Sequence, residues 1–118
     1  MIPSSKIHLY GIYYIYQKTM HRMEDFHMEL KQGENRFYFA DDKGGEAGEI
    51  TYYPSGDNIW TIDHTYVSDE YRGQKLAARL LQAVVDQARK EGKKIIPLCS
   101  YAVREFERRN DYQDVKAK

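Results

Sequence analysis

Three side chains in the second half of the 118-residue chain could support acid–base or nucleophilic chemistry: His64, Cys99 and Tyr101. An imidazole exchanges protons near neutral pH, a thiol is partly ionised there and is a strong nucleophile, and a phenol can donate a proton. Each residue also has a structural alternative. His64 could be a strand histidine paired with the backbone or with Asp63, Cys99 a small buried hydrophobe, and Tyr101 a packing residue. Residue type alone therefore leaves the catalytic assignment open.

Metal and disulfide chemistry find little support in the sequence. Cys99 is the only cysteine, which excludes an internal disulfide and a cysteine-rich zinc site. His8, His21 and His27 lack the spacing that is typical of metal ligands. We therefore expect no metal, and a cytoplasmic location is the default expectation for such a chain.

A second chemical signal lies in residues 67–77 (VSDEYRGQKLA), which join a predicted strand to a predicted helix. The first N–H groups of a helix have no partner within the helix, and the helix dipole is positive at that end. Arg72 and Lys75 add positive charge at the same place. The segment is therefore a candidate site for a phosphate or another anion, although many loops between strands and helices look similar.

Alternating apolar residues and short turns predict the elements that position these side chains. Phe26, Met28 and Leu30 alternate with polar residues and indicate a half-buried strand. Three further strands follow, and the short connections between them favour an antiparallel meander. The predicted strands are 36–40, 49–53 and 59–67, with turns at 41–45 and 54–58.

The apolar period then changes from two residues to 3.6 residues. An apolar stripe predicts a helix that ends near Glu91, with Gly92 as its C-cap. A short strand at 94–98 and a second helix at 101–109 follow, and the crossover helix between two strands implies parallel pairing. The stripe consists of Leu76, Leu80, Leu81, Val84, Val85 and Ala88.

The length of the chain predicts one domain, and its charge is unevenly distributed. Residues 23–71 carry twelve acidic and three basic side chains, whereas residues 72–118 carry twelve basic and six acidic ones. The basic residues of the second half could bind an anionic ligand. Alternatively, they are only the solvent-exposed side chains of the predicted helices. We expect no membrane association, because no apolar run approaches about 18 residues. No nucleic-acid partner is expected either, because the sequence has no stacking platform or recognition helix.

The N-terminal residues 1–22 fit neither the meander nor the helix stripe. They carry Lys6, Lys18 and Arg22 and no acidic residue. We expect a poorly ordered extension here, with an added edge strand as the alternative. The folded domain is accordingly expected to span 23–118.

Residues 71–77 (YRGQKLA) resemble the acetyl-CoA pyrophosphate loop of the GNAT superfamily of N-acetyltransferases, which usually reads R/Q-x-x-G-x-G/A. The upstream IDHTYV (62–67) and the downstream IPLCSY (96–101) narrow the resemblance to the short, single-domain YjdJ-type branch. The resemblance extends over about residues 23–115. Lys75 departs from it, because it stands where the family usually has glycine. A lysine adds bulk near the pyrophosphate and also adds a cation.

The resemblance implies an α/β (α+β) protein with the minimal acyl-CoA N-acyltransferase fold. This fold is a mixed, mainly antiparallel sheet of about five strands with two helices. Its fourth and fifth strands splay apart around the pantetheine arm, and Pro97 is tolerated where strands part. Residues 31–35 are too few for the helices that usually follow the first strand, and 110–118 too few for a closing hairpin. The acceptor side is therefore expected to be open, or completed by a second subunit, so a monomer and a homodimer both remain possible.

The resemblance also implies an activity: transfer of an acetyl group from acetyl-CoA to a primary amine, with a protein lysine or N-terminus as a suitable acceptor for an open site. His64 would act as the base, Tyr101 as the acid for the departing thiolate, and Cys99 as an acyl carrier with His64 as its base. The alternative is a non-catalytic acyl-CoA-binding or protein-interaction module, which Lys75 and the missing acceptor walls favour. The expected CoA-binding residues are Tyr66, Val67, Arg72, Gly73, Gln74, Lys75, Leu76 and Ala77.

Overall fold

The structure is a computed structural model that describes residues 28–118. The expected extension at 1–22, the start of the domain at Met23 and the strand residue Phe26 lie outside this range. No helix within 28–118 is both long and apolar enough to cross a membrane.

A single five-stranded sheet forms the centre of the described chain, with its strands in sequence order. The first four strands pair antiparallel because short turns connect them, and the fifth pairs parallel to the fourth because a helix separates them. The predicted mixed, mainly antiparallel sheet is thus confirmed. The strands are β1 (Glu29–Gly33), β2 (Arg36–Ala40), β3 (Glu46–Gly56), β4 (Ile59–Val67) and β5 (Lys94–Pro97).

Two predictions about the strands are wrong: β1 is not half-buried, and β3 is longer than the predicted strand 49–53. β1 begins at Glu29 and is largely solvent-exposed, because it pairs with β2 on one side only and lies at the edge of the sheet. β3 continues through Pro54 to Gly56 and leaves a turn of two residues. Asn58, with φ 58°, occupies the left-handed position of that turn, a conformation that asparagine tolerates better than most residues.

The helix α1 (Leu76–Glu91) ends where the sequence predicted and buries all six residues of the predicted apolar stripe. It packs against β2, β3, β4 and β5. Gly92 caps the helix in the left-handed conformation, and its N–H donates to the carbonyl groups of Ala88 and Arg89. The periodicity that predicted this helix is therefore the periodicity that forms the core.

The second helix, α2 (Ser100–Arg108), begins one residue earlier than predicted and buries Ala102 and Phe106. After it, the C-terminal segment turns back beside β5, where Ile95 forms a parallel bridge with Lys116. Tyr112 and Val115 of this segment are buried. This segment covers part of the outer edge of β5.

Candidate active site

The gap between β4 and β5 opens at Ile62. Pairing of the two strands ends with Ile62 opposite Pro97, and proline has no N–H with which to continue it. The N–H groups of Leu98 and Cys99 then both donate to the Ile62 carbonyl, at 2.9 and 3.2 Å. Within the described chain, β4 has no strand partner on this side from residue 63 to residue 67, so its edge there offers free backbone donors and acceptors.

A β-bulge at Asp63 decides which way the β4 side chains point. Ile62 pairs with Tyr52, whereas His64 pairs with the adjacent residue Thr51. Neighbours on a strand face opposite sides of the sheet, so Ile62 and His64 lie on opposite faces although they are two residues apart. Ile62 is fully buried and His64 is exposed.

A cross-strand hydrogen bond supports the bulge. The Thr51 hydroxyl donates to Asp63 Oδ1 at 2.6 Å. Thr51 also lies directly opposite His64, so the bond holds the extra residue beside the candidate base. Bulges of this kind re-aim side chains and are common next to active sites.

Cys99 lies on the other side of the gap, at the N-cap of α2. Its sulfur is half-buried and is 3.3 Å from the Thr65 hydroxyl, either atom being able to donate. Thr65 pairs with buried Ile50 and so faces the core side of the sheet, opposite to the face of His64. No hydrogen bond joins His64 to Cys99 in the described structure; the cysteine bonds to threonine instead.

Tyr101 is the second residue of α2 and is half-buried against the core. Burial, followed by the nearby Glu105 carboxylate, raises the pKa of the Tyr101 phenol. A phenol is protonated at neutral pH in any case, so this shift makes Tyr101 a weaker acid and leaves it in the form that a proton donor requires.

The loop between β4 and α1, residues 68–75, has the backbone geometry of a candidate anion site and is called the anion loop below. A short 3-10 turn at Asp69–Tyr71 leads into Arg72, and Gly73 and Lys75 both adopt positive φ values, 86° and 63°. Lys75 is the N-cap of α1 and makes no side-chain cap hydrogen bond. The lysine thus takes the left-handed conformation that a glycine would favour, so the backbone path does not require glycine.

The side chains of this loop are solvent-exposed from Arg72 to Lys75, whereas Leu76 is buried in the core. Arg72 pairs with Asp69 at 2.9 Å. Both of these side chains are largely exposed, so the pair is weak and Arg72 can turn to another anion. Upstream, Tyr66 is exposed beside the open edge of β4, and Val67 is half-buried on the core side.

Two residues of this region were not anticipated from the sequence. Thr65 contacts the candidate nucleophile, and Thr51 holds the bulge. Each partner is 12 or more residues away along the chain, and no local pattern marks a threonine for such a contact.

The chain belongs to the GCN5-related N-acetyltransferase family, because the family model matches residues 36–115. The match spans β2 to the C-terminal segment and includes both the anion loop and the gap. Membership supports an N-acetyltransferase activity that uses a CoA-based acyl donor.

Solved structures agree with this fold. The chain is 48% identical to a GCN5-like protein from Staphylococcus aureus solved by NMR, with 75% of this chain and 87% of that chain covered and a TM-score of 0.65. It is 23% identical to the GNAT family N-acetyltransferase YhbS from Escherichia coli, crystallised with CoA, with 72% and 47% covered and a TM-score of 0.53.

The ribosomal-protein-S18-alanine N-acetyltransferase from Escherichia coli is 20% identical, with 64% and 52% covered and a TM-score of 0.51. The chain therefore spans about half the length of these two enzymes, whose likeness concerns the fold alone. No curated protein matches the chain.

Proposed function

We propose that the protein transfers an acetyl group from acetyl-CoA to a primary amine. The observation that carries the proposal is that one strand, β4, connects the gap beside β5 to the anion loop. β4 runs along the open gap to β5 and leads directly into the anion loop at the start of α1. An elongated donor with phosphates at one end and a thioester at the other matches such a site.

The anion loop is proposed to hold the CoA pyrophosphate. The first amides of α1 have no partner within the helix, and they would donate to phosphate oxygens. Arg72 and Lys75 are exposed cations at the same end of the helix. Gly73, Gln74, Leu76 and Ala77 would contribute backbone there, and Tyr66 and Val67 lie where the loop leaves β4.

The chemistry itself needs one bond to break and one to form. The amine nitrogen attacks the thioester carbonyl carbon, the C–N bond forms, and the C–S bond to CoA breaks. The amine must lose a proton, for which His64 is the proposed acceptor, directly or through water. The departing thiolate gains a proton, for which Tyr101 is the proposed donor, because a phenol is protonated at neutral pH.

A second route uses Cys99. Its sulfur attacks the thioester first, and the acetyl group then passes from the acyl-cysteine to the amine. Since Cys99 bonds to Thr65 and not to His64, no histidine is hydrogen-bonded to the sulfur in the described structure, as this route would require. We therefore favour direct attack by the amine.

The proposed acceptor is an amine on a protein, either a lysine or an N-terminus. β1 is short, exposed and at the edge of the sheet, and the described chain places no helix between β1 and β2. An open acceptor side suits a group presented by a large partner better than a small molecule that needs enclosure.

A non-catalytic acyl-CoA-binding module is the second candidate. Lys75 at the N-cap of α1 favours it, because its side chain adds bulk where a pyrophosphate would approach the backbone. In that case the anion loop would bind CoA, and no acetyl group would leave it.

Two measurements test these candidates. CoA at about 100 times its dissociation constant should stabilise the fold by ~2.7 kcal/mol, which raises the melting temperature by roughly 10 °C for a domain of this size. Adenine without phosphates serves as the control. Equal shifts from CoA and adenine would remove the loop assignment.

Mass spectrometry after incubation with acetyl-CoA and a lysine peptide separates enzyme from module. An acetylated peptide supports transfer. CoA binding without acetylation of the peptide or of Cys99 supports the module.

A further inference from the structure

The anion loop is connected to a distant turn of the sheet through Tyr71. This residue ends the 3-10 turn before Arg72, and its ring packs against the core. Its hydroxyl donates to Asp41 Oδ2 at 3.3 Å. Asp41 begins the turn between β2 and β3, 30 residues earlier in the chain.

The Asp41 carboxylate is itself held in place. Its other oxygen accepts hydrogen bonds from the backbone N–H groups of Gly45, at 2.8 Å, and Lys43, at 3.0 Å. A Cβ at Gly45 would lie only 3.2 Å from Asp41 Oδ2, so the absence of a side chain there leaves room for the carboxylate. The bond from Gly45 is the largest cause of a lowered pKa for Asp41, which is therefore ionised at neutral pH.

A second link fixes the same end of the loop, where the N–H of Ser68 donates to the Ala47 carbonyl at 2.8 Å. The first half of the connection, Ser68 to Tyr71, is thus attached to the sheet at both of its ends. The residues that follow, up to Lys75, are exposed, and the chain becomes fixed again where Leu76 enters the core. Tyr71 therefore marks the start of the exposed part of the loop, residues 72–75, and Leu76 marks its end.

We propose that Tyr71 is a positioning residue for CoA binding, because its hydrogen bond to Asp41 holds the start of the anion loop against the β2–β3 turn. This inference rests on the proposed function of the loop. With the bond in place, the amides of Gly73 to Lys75 are ordered before the ligand arrives. Without it, binding must order them and the affinity falls.

The variant Tyr71→Phe removes only the hydroxyl, and Tyr38→Phe is the matched control. Tyr38 is half-buried on β2, and its ring stacks with Arg36, a contact that does not involve the hydroxyl. In Tyr71→Phe without ligand, we expect the NMR order parameters of the Gly73–Lys75 amides to fall from near 0.85 toward 0.6. Tyr38→Phe should leave them unchanged.

In the same variant, the CoA dissociation constant should rise about three- to tenfold, the range of one hydrogen bond. The KM for acetyl-CoA should rise with it, while kcat stays the same. Asp41→Ala should raise the CoA dissociation constant too. The double variant Asp41→Ala/Tyr71→Phe should bind CoA as tightly as the weaker-binding single variant, because both substitutions remove the same hydrogen bond.

Unchanged order parameters in Tyr71→Phe would overturn the proposal. It would also be overturned if the double variant raised the CoA dissociation constant by the product of the two single effects, because the two residues would then act independently. A lower melting temperature with an ordered loop and unchanged affinity would identify a merely structural bond and would also overturn it. If the wild-type protein does not bind CoA, the proposed function fails, and the order parameters still decide whether Tyr71 orders the loop.

Discussion

The two ends of the candidate site are built in different ways. The anion loop is continuous in sequence: a 3-10 turn, Gly73, Lys75 and the first residues of α1 follow one another along the chain. The gap between β4 and β5 is assembled from separate segments. There, Thr65 meets Cys99 across 34 residues, and Thr51 meets Asp63 across 12.

This difference predicts how each end responds to substitution. The loop depends on local backbone conformation and on exposed charge, so a change there should alter CoA affinity by modest factors. The gap depends on a bulge and on side chains placed by cross-strand pairing, so a change there should act on the chemical step and leave CoA binding nearly intact.

The largest expected effect separates the two catalytic routes at the gap. If the amine attacks directly, His64→Ala should lower kcat by about 10²- to 10⁴-fold, the range of a general base, and Cys99→Ser should cost little. If Cys99 carries the acetyl group, Cys99→Ser should abolish transfer, since a hydroxyl is a far poorer nucleophile. Steady-state rates at saturating acetyl-CoA decide between them. Full activity in both variants would remove both assignments.

The bulge is tested by Thr51→Val, which keeps the shape of the side chain and removes the donor to Asp63. Because the bond holds the residue next to His64, we expect kcat to fall about three- to tenfold. CoA affinity, measured by calorimetry, should stay within about twofold, because the loop is built separately. A matching loss of CoA affinity would show that the two ends are not independent.

Lys75→Gly tests the loop, where conformation and charge act in opposite directions. Relief of the positive φ at residue 75 should stabilise the unliganded protein by about 1 kcal/mol, a rise of roughly 4 °C in melting temperature. Loss of the cation should weaken CoA binding about threefold. Lys75→Asn is the control, since asparagine tolerates this conformation and also lacks the charge. Unchanged affinity in both variants would show that the lysine charge plays no part.

A smaller effect is expected from Asp69→Asn. The Asp69 carboxylate pairs with Arg72 at 2.9 Å and therefore competes with a bound phosphate for the guanidinium. Removing the charge should tighten CoA binding about twofold, as is typical of an exposed pair. Arg72→Ala should weaken binding, and Asp69→Asn should make no further difference in that background. Tightening that persists without Arg72 would point to general electrostatics instead.

The smallest effect concerns the segment beside β5. Arg89 of α1 donates to both carboxylate oxygens of Asp114, at 2.9 Å each, and these bonds lower the pKa of Asp114. Because the folded state favours the carboxylate, this stabilisation is present above a pH of about 4 and is lost as the pH falls through the lowered pKa.

Thermal melts over pH 3 to 6 measure this effect. We expect Asp114→Asn to melt about 1–2 °C below the wild type at pH 6, with the difference shrinking toward pH 3. A constant difference over this range would mean that the ion pair is not its source.

Much of the fold follows from local pattern. The 3.6-residue period predicted α1, its end near Glu91 and all six of its buried side chains, and Gly92 was recognised as its cap. The short turns and the crossover helix predicted a meander with one parallel strand. These features are local in sequence or follow from chain connectivity, and for that reason the sequence is sufficient to predict them.

The sequence by itself determined the family and the order of the elements, because both follow from contiguous runs of residues. Only the tertiary structure decided the faces of the sheet at β4. Simple alternation places His64 with Ile62, and the bulge at Asp63 moves it to the opposite face. The tertiary structure also decided that Cys99 contacts Thr65 and that Tyr71 contacts Asp41. Such contacts depend on strand register and on the relative placement of distant segments, and neither leaves a signature in the local order of residues.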